Sequence, residues 1–209
     1  MMLEALVNPG AFFEKKSKEE INLKTSYAII ITASVLTLLN VVILTRELME
    51  NLLNFTPIVA QRSLIAMGLI VVMLSVTFGW IVISGIFYSF SSLLDGKGNF
   101  TRMLEFVAYG FLPFILSSAI SLVLITSMCL FTDFSINDPY YLEKAIMKSP
   151  YMIASNVISI ILALWSANIW VFALVYSRNL TVKNAMIIVG IPLVMYVIYM
   201  VYLLYKSLI

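Results

Sequence analysis

The chain has 209 residues, of which 62% are hydrophobic, 11% are charged and none is histidine. Soluble domains carry charges on about a quarter of their residues, so this composition excludes them and indicates a polytopic membrane protein. The near balance of 13 Lys and Arg against 11 Asp and Glu excludes the concentrated basic face of a nucleic-acid-binding protein, and we expect no nucleic acid partner.

The first 24 residues predict a short interfacial helix rather than a signal peptide. Charged residues and an Asn-Pro-Gly sequence interrupt what would be the apolar core of a signal peptide. Asn8 is suited to cap a helix that begins at the proline after it, and Phe12 with Phe13 is suited to a membrane surface. We expect residues 1–24 to form a cytoplasmic interfacial lead-in and residues 25–209 to form a single five-span membrane domain.

Five apolar runs are long enough to cross a hydrocarbon core of roughly 30 Å, which takes about 20 helical residues. They cover residues 27–44, 64–94, 106–131, 152–176 and 185–205. The sequence therefore predicts an all-α, polytopic membrane protein with five transmembrane helices.

The distribution of Lys and Arg predicts the orientation of these spans. With a cytoplasmic N-terminus, the inner connections hold eight of the 13 Lys and Arg residues and the outer connections hold five. Cytoplasmic loops of membrane proteins carry the excess of such residues. We expect a multi-pass plasma-membrane protein whose N-terminus is cytoplasmic and whose C-terminus is outside.

A shift of the sequence by 80 residues aligns the second and third spans with the fourth and fifth. The aligned pairs are Asn99 with Asn179, Thr101 with Thr181, Gly110 with Gly190, Ser75 with Ser155 and Gly79 with Ser159. Two explanations stay open, a duplicated helical hairpin and a chance match within the small alphabet of membrane sequences.

Each of the two hairpins carries a candidate helix kink, at Gly110 and Pro113 in one and at Gly190 and Pro192 in the other. The prolines either shape the bundle by bending it, or free carbonyls that line a cavity or hinge. The hairpins also carry a candidate helix-packing ridge of small residues, which consists of Ser75, Gly79, Ser155, Ser159, Ala163 and Ala167. We expect this ridge to pack inside the fold, with a homodimer contact as the alternative.

No residue set for catalysis or for a cofactor is present in the sequence. Without His and with Cys129 as the single cysteine, the usual zinc, haem and cysteine-nucleophile sites are excluded. All charged residues lie outside the spans or near their ends, which disfavours ion-coupled transport. We expect a non-enzymatic protein without metal or cofactor. Uncharged polar residues within the spans, which we expect to form interhelical hydrogen bonds, are Asn40, Thr126, Asn156, Ser166 and Asn168.

The DGKG sequence at residues 95–98 predicts a turn rather than a phosphate-binding loop. A phosphate loop needs a preceding strand and a following Lys-Ser or Lys-Thr, and neither is present. Asn99 or Thr101 is suited to cap the helix that follows the turn. Arg102 and Glu105 have the spacing of an i, i+3 ion pair on that helix.

Three segments resemble the Yip domain family, the Ypt/Rab-interacting membrane proteins. The segment LLDGKGNFTRMLEFVAYGFLPFILSSA resembles its signature region, in which a helix ends in a short cytoplasmic turn that contains glycine. The segment LWSANIWVFALVYSRNLTVKNAMIIVGIPL resembles its second half, and NPGAFF resembles the start of its prokaryotic members. The chain lacks the long N-terminal region of eukaryotic members, so it resembles the archaeal or bacterial branch.

The resemblance implies five helical spans and a cytoplasmic N-terminus. Eukaryotic relatives bind Rab-type GTPases and each other, and act in membrane trafficking or shaping. We therefore expect a scaffold, partner-recruiting or membrane-organising protein that contacts membrane lipids and either forms a homo-oligomer or binds a soluble, small-GTPase-like cytoplasmic partner. The candidate partner face comprises Asp95, Lys97, Arg102, Glu105, Arg178 and Lys183. The alternative function is a passive channel or small-solute permease, with a pseudo-symmetric cavity flanked by the two kinks.

Overall fold

The computed structural model of the chain describes residues 2–52, 58–132 and 139–208. All regular elements in these ranges are helices. They are α1 (Met2–Val7), α2 (Pro9–Ser17), α3 (Leu23–Leu52), α4 (Ile58–Leu93), α5 (Phe100–Tyr109), α6 (Leu112–Phe131), α7 (Pro139–Lys148), α8 (Pro150–Arg178) and α9 (Val182–Leu208).

Five segments of these helices are long and apolar enough to cross a membrane, which confirms the predicted fold class. They are Leu23–Thr45, Ala66–Leu93, Phe100–Phe131, Pro150–Arg178 and Val182–Leu208, with mean hydropathies between 2.2 and 2.5. The helix α8 has the largest buried share, 33% of its most apolar window, and α4 has the smallest, 6%. Since α8 also packs against α2, α4, α5, α6, α7 and α9, it forms the centre of the bundle, and α4 lies at the periphery.

The third span consists of two helices rather than one bent helix. The helix α5 ends at Tyr109 and α6 begins at Leu112, with Pro113 in the first turn of α6. Pro113 has no N–H to donate to the carbonyl of Tyr109, so the helical hydrogen-bond ladder is interrupted there. A Cβ at Gly110 would overlap Trp170 Nε1, so only glycine fits at the break. The other candidate kink differs, because α9 continues through Pro192.

The lead-in forms the predicted helix, but its aromatic pair lies inside the protein. The side chain of Asn8 accepts a hydrogen bond from a backbone N–H of the first turn of α2, at 3.2 Å, and the helix begins at the next residue as predicted. Phe12 and Phe13 are buried, however, with ring centroids 4.9 Å from the rings of Tyr109 and Phe106 respectively. This corrects the expectation that the pair rests at the membrane surface, since aromatic rings in contact with one another gain stability beyond the burial of their apolar area.

The two short turns of the hairpins have different local structures. In the first, Asp95 and Gly98 have positive φ angles of 60° and 139°, and Asn99 caps α5 through a 2.8 Å hydrogen bond from the backbone N–H of Arg102. In the second, Asn179 ends α8 in the left-handed conformation. The aligned asparagines thus have different roles, and the duplication of the hairpin stays a prediction.

The half of the small-residue ridge on α8 lies inside the fold. Ser155 shares a 2.7 Å hydroxyl hydrogen bond with Ser121, and Ser159 shares a 3.0 Å bond with Ser117, so this half joins α8 to α6. Ala167 is buried in the core about two helical turns beyond Ser159 and three beyond Ser155. Small side chains let the two backbones approach closely enough for these hydroxyl pairs to form.

The half of the ridge on α4 does not pack inside the described part of the fold. Ser75 is exposed and donates its hydroxyl hydrogen to the carbonyl of Val72 on its own helix. A Cβ at Gly79 would meet no atom within 4 Å. This corrects the expectation for Ser75 and Gly79, because α4 is a peripheral helix, and leaves the homodimer contact as a prediction for this face.

Candidate functional site

The lead-in and both hairpin turns meet at one end of the bundle, which we call the turn end. The backbone N–H of Lys97 donates to the carbonyl of Arg178 at 2.8 Å, which joins the α4–α5 turn to the end of α8. The guanidinium of Arg102 donates to the carbonyl of Lys16 at 3.3 Å, which joins α5 to the lead-in. All six residues of the predicted partner face belong to this end.

Glu105 lies at the centre of a charged cluster, the Glu105 cluster, between α5 and the lead-in. Its side chain is fully buried, with Oε2 2.8 Å from Arg102 Nη1 and Oε1 3.4 Å from Lys16 Nζ. Oε1 also accepts a 3.2 Å hydrogen bond from the backbone N–H of Asn22. Arg102 donates further to the carbonyl of Glu19. Because these partners come from α2, from the segment after it and from α5, the carboxylate ties the lead-in to the bundle.

Lys16 keeps its positive charge in this cluster. Burial of its side chain disfavours the ammonium form, but the 3.1 Å hydrogen bond with Glu19 and the nearby negative charge of Glu105 outweigh burial and raise the pKa of Lys16 above its ordinary value. Lys16 therefore faces Glu105 as an ammonium group.

Arg178, the last residue of α8, holds the α4–α5 turn. Its side chain is 2% exposed, and its guanidinium donates to two hydroxyls at the end of α4 and to two carbonyls of the turn. These acceptors are Ser91 Oγ at 2.8 Å, Ser92 Oγ at 2.9 Å, the carbonyl of Gly96 at 2.7 Å and the carbonyl of Gly98. The guanidinium carbon also lies 4.1 Å from the centre of the Tyr88 ring. Dipoles and an aromatic face thus stabilise this charge, and no carboxylate among the described residues lies within ion-pair distance of it.

The predicted partner face divides into internal and exposed residues. Glu105 and Arg178 are buried and Arg102 is largely buried, which corrects the expectation that they contact a partner. Their side chains instead hold the turn end together. Asp95, Lys97 and Lys183 are exposed and remain the residues of the predicted face that a partner can reach.

Two tryptophans, which the sequence did not single out, hold α5 from both sides. Trp80 on α4 donates its indole N–H to the carbonyl of Leu104 at 3.0 Å. Trp170 on α8 donates its indole N–H to the carbonyl of Val107 at 2.9 Å. Buried indoles need such partners, so these bonds fix α5 between α4 and α8.

A cavity of about 230 Å³ lies beside the break in the third span, and we call it the break cavity. Gly110 and Pro192, one residue from each predicted kink, lie in its wall together with Ala163 and Ser166 of α8. The wall is almost entirely apolar. Gly190 lies instead in the wall of a separate, more open cavity between α8 and α9. One residue of each predicted kink thus lies beside the cavity, whose wall suits an apolar occupant, and the lining of a cavity by freed carbonyls stays a prediction.

Metal binding has no candidate in the ranges that the structure describes. Within them, no group of three or more Cys, Asp or Glu residues lies close enough together to hold a metal ion.

Comparison with known proteins gives one family and one relative. The family model described as the Yip1 domain matches residues 3–204, nearly the whole chain. An uncharacterized protein of the archaeon Methanocaldococcus jannaschii is 32% identical over 128 residues, which is 58% of this chain and 85% of that relative. No solved structure matches the chain.

Proposed function

Because the chain belongs to the Yip1 domain family, we propose that it is a non-enzymatic membrane scaffold that recruits a soluble partner through the exposed residues of its turn end. We place this end in the cytoplasm and the protein in the plasma membrane, since the lead-in and the two turns hold most of the Lys and Arg of the chain.

The proposal rests on one observation: buried charged side chains hold the turn end together, while other charged side chains there stay exposed. Glu105 and Arg178 make contacts within the protein that join the lead-in to α5 and the α4–α5 turn to α8. Lys97 and Lys183 stay exposed on the surface that results. A surface held in one conformation loses little conformational entropy on binding, which favours its use as a docking face.

The exposed lysines define the chemistry of the partner. Each Lys close to anionic headgroups contributes on the order of 1 kcal/mol, so the turn end also fits a membrane surface rich in acidic lipids. A soluble partner would present an acidic patch to Lys97 and Lys183, because complementary charge steers association and sets specificity.

The test is crosslinking in cells from photoreactive residues that replace Lys97 or Lys183, with mass spectrometry of the products. Lys144 of α7, exposed at the opposite end of α8, is the matched control position. We expect one soluble protein at both turn positions and not at the control. That protein should co-purify with the wild type and lose at least about tenfold in yield with K97E/K183E. Crosslinks to lipid or to the chain itself alone would refute recruitment through this face.

A passive permease is the second candidate, and the break cavity is the observation that favours it. Gly110 and Pro192, one residue of each predicted kink, lie in the wall of that cavity. An apolar wall fits apolar solutes better than polar ones. Purified protein in liposomes should then raise the flux of a small apolar solute above that of protein-free liposomes, and equal fluxes would exclude this function.

A further inference from the structure

An asparagine of the fourth span exposes its side-chain amide on the surface of the bundle. Asn168 of α8 is exposed, and its amide makes no hydrogen bond among the described residues. Asn40 of α3, by contrast, makes the interhelical bond that the sequence predicted for both. Its Nδ2 donates to the carbonyl of Ser118 on α6 at 2.9 Å and to the carbonyl of Leu36 on its own helix at 2.8 Å. Asn168 therefore lacks the polar partner that an amide within a span needs.

The amide of Asn168 lies within the hydrocarbon layer rather than at either membrane surface. Asn168 precedes Arg178 by 10 residues and follows Pro150 by 18 residues, which are about 15 Å and 27 Å along the helix. The side chains of Leu164 and Met186 near it are apolar and exposed, as lipid-facing side chains are. An amide without a partner is costly in an apolar medium, so a polar group from another chain would be favourable there.

A groove beside Asn168 lets another helix approach closely. This groove, which we call the α8–α9 groove, is the open cavity between these two helices, and its wall includes Asn168 and Val171 of α8 with Met186 and Gly190 of α9. Gly190 has no side chain to fill the groove, and a Cβ there would meet no atom within 4 Å. Small residues at a membrane interface let two helices come close enough for interhelical hydrogen bonds.

From this we propose that the α8–α9 groove is the contact surface of a homodimer, in which the side-chain amides of the two Asn168 residues hydrogen-bond each other. A side-chain amide has two N–H donors and one acceptor oxygen, so two amides satisfy each other through a pair of reciprocal bonds. Copies of one chain enter the membrane in the same orientation. A twofold axis along the membrane normal therefore brings the same residue to the same depth in both copies. A second copy supplies the missing polar group by symmetry, whereas a different protein would need an equivalent group at that depth.

The test measures dimerisation of the purified full chain in liposomes, by energy transfer between donor and acceptor fluorescent proteins fused to its C-terminus, over a range of lipid-to-protein ratios. We expect N168L to weaken dimerisation about tenfold, the effect of two interhelical hydrogen bonds within a membrane. N168Q keeps the amide and should stay within about threefold of the wild type. N156L is the matched control and should change nothing, because Asn156 lies on a different face of α8 and only six residues from its start.

Two glycine variants test where the contact lies. G190L places a side chain in the groove, where its Cβ meets no atom of its own chain, and should abolish energy transfer, while circular dichroism reports whether the variant is folded. G79L is its control, because a Cβ at Gly79 is also in open space but lies on α4.

Disulfide trapping in native membranes gives a readout that does not depend on reconstitution. In a C129S background, L164C places a thiol one helical turn from Asn168, and V71C places one on the exposed surface of α4. Oxidation with copper phenanthroline should give a covalent dimer with L164C and none with V71C. Equal dimerisation of wild type and N168L, loss of energy transfer in G79L but not in folded G190L, or a covalent dimer with V71C alone would overturn the proposal.

Discussion

Removal of the Glu105 carboxylate should release the lead-in while the spans stay folded. Removing one partner of a buried ion pair costs about 3–5 kcal/mol, because the other charge stays buried without compensation. Here Lys16 keeps its 3.1 Å contact with Glu19, and Arg102 keeps its bonds to two backbone carbonyls. We therefore expect E105A to cost about 2–3 kcal/mol at this contact. At about 1.4 kcal/mol per factor of ten, the population with a released lead-in rises by about 30- to 140-fold.

Limited trypsin digestion in detergent micelles measures this population, because cleavage at Lys15 and Lys18 follows the fraction of open lead-in when opening is fast. The rate should rise by the same factor in E105A and by less in E105Q, since the glutamine still accepts from the backbone of Asn22. E14Q is the control, because Glu14 and Lys18 form an exposed pair that contributes less than about 1 kcal/mol. Equal rates for E105A and wild type would refute the reasoning, and so would loss of all helical structure in E105A.

Three shorter predictions concern the same end of the bundle. G98A should lower the free energy of unfolding by at least about 2 kcal/mol, because φ is +139° at this residue and a Cβ would overlap the carbonyl of Ser177. G79A is the control: its Cβ would lie in open space, so its melting temperature should equal that of the wild type within error. R178K should lower the free energy of unfolding by about 3 kcal/mol, because lysine lacks the planar guanidinium and can make only about two of the four charged hydrogen bonds that Arg178 donates. A melting temperature equal to that of the wild type would contradict this. Because the pKa of Lys16 is raised in the folded protein, the contribution of Lys16 to stability is complete below the unfolded pKa of about 10.4 and is lost as pH rises through the folded value. Protection of the lead-in from a protease active at high pH should therefore be constant from about pH 6 to 9 and fall above about pH 10.4. The fall should be smaller in K16M.

The sequence predicted the spans and the local caps because both depend on neighbouring residues. Five apolar runs of membrane length are visible without any partner, and so are the cap at Asn8 and the turn at residues 95–98. The Yip1 domain match over residues 3–204 confirms the resemblance to the Yip domain family that the three segments indicated. The archaeal relative is consistent with a prokaryotic branch of that family. The break at Gly110 could not be predicted in full, because it depends on Trp170 from a helix 60 residues later in the chain.

The turn end shows where local reasoning from the sequence stops. The spacing of Arg102 and Glu105 predicted their ion pair, which forms at 2.8 Å. Its burial depends on the lead-in, whose Asn22 is 83 residues away in the chain, and no local pattern contains that contact. Arg178 at the end of a span has the position of a headgroup-facing charge, and the groups that it binds instead lie 80 to 87 residues earlier in the chain.

The helix α5 connects the turn end to the break cavity, although it is only ten residues long. Glu105, in the middle of the helix, fixes the lead-in, and the helix ends at the break beside the cavity. Trp170 belongs to both regions, because its indole donates to the carbonyl of Val107 while its ring lies in the cavity wall. Trp170 therefore links the position of α5 to the wall of the cavity.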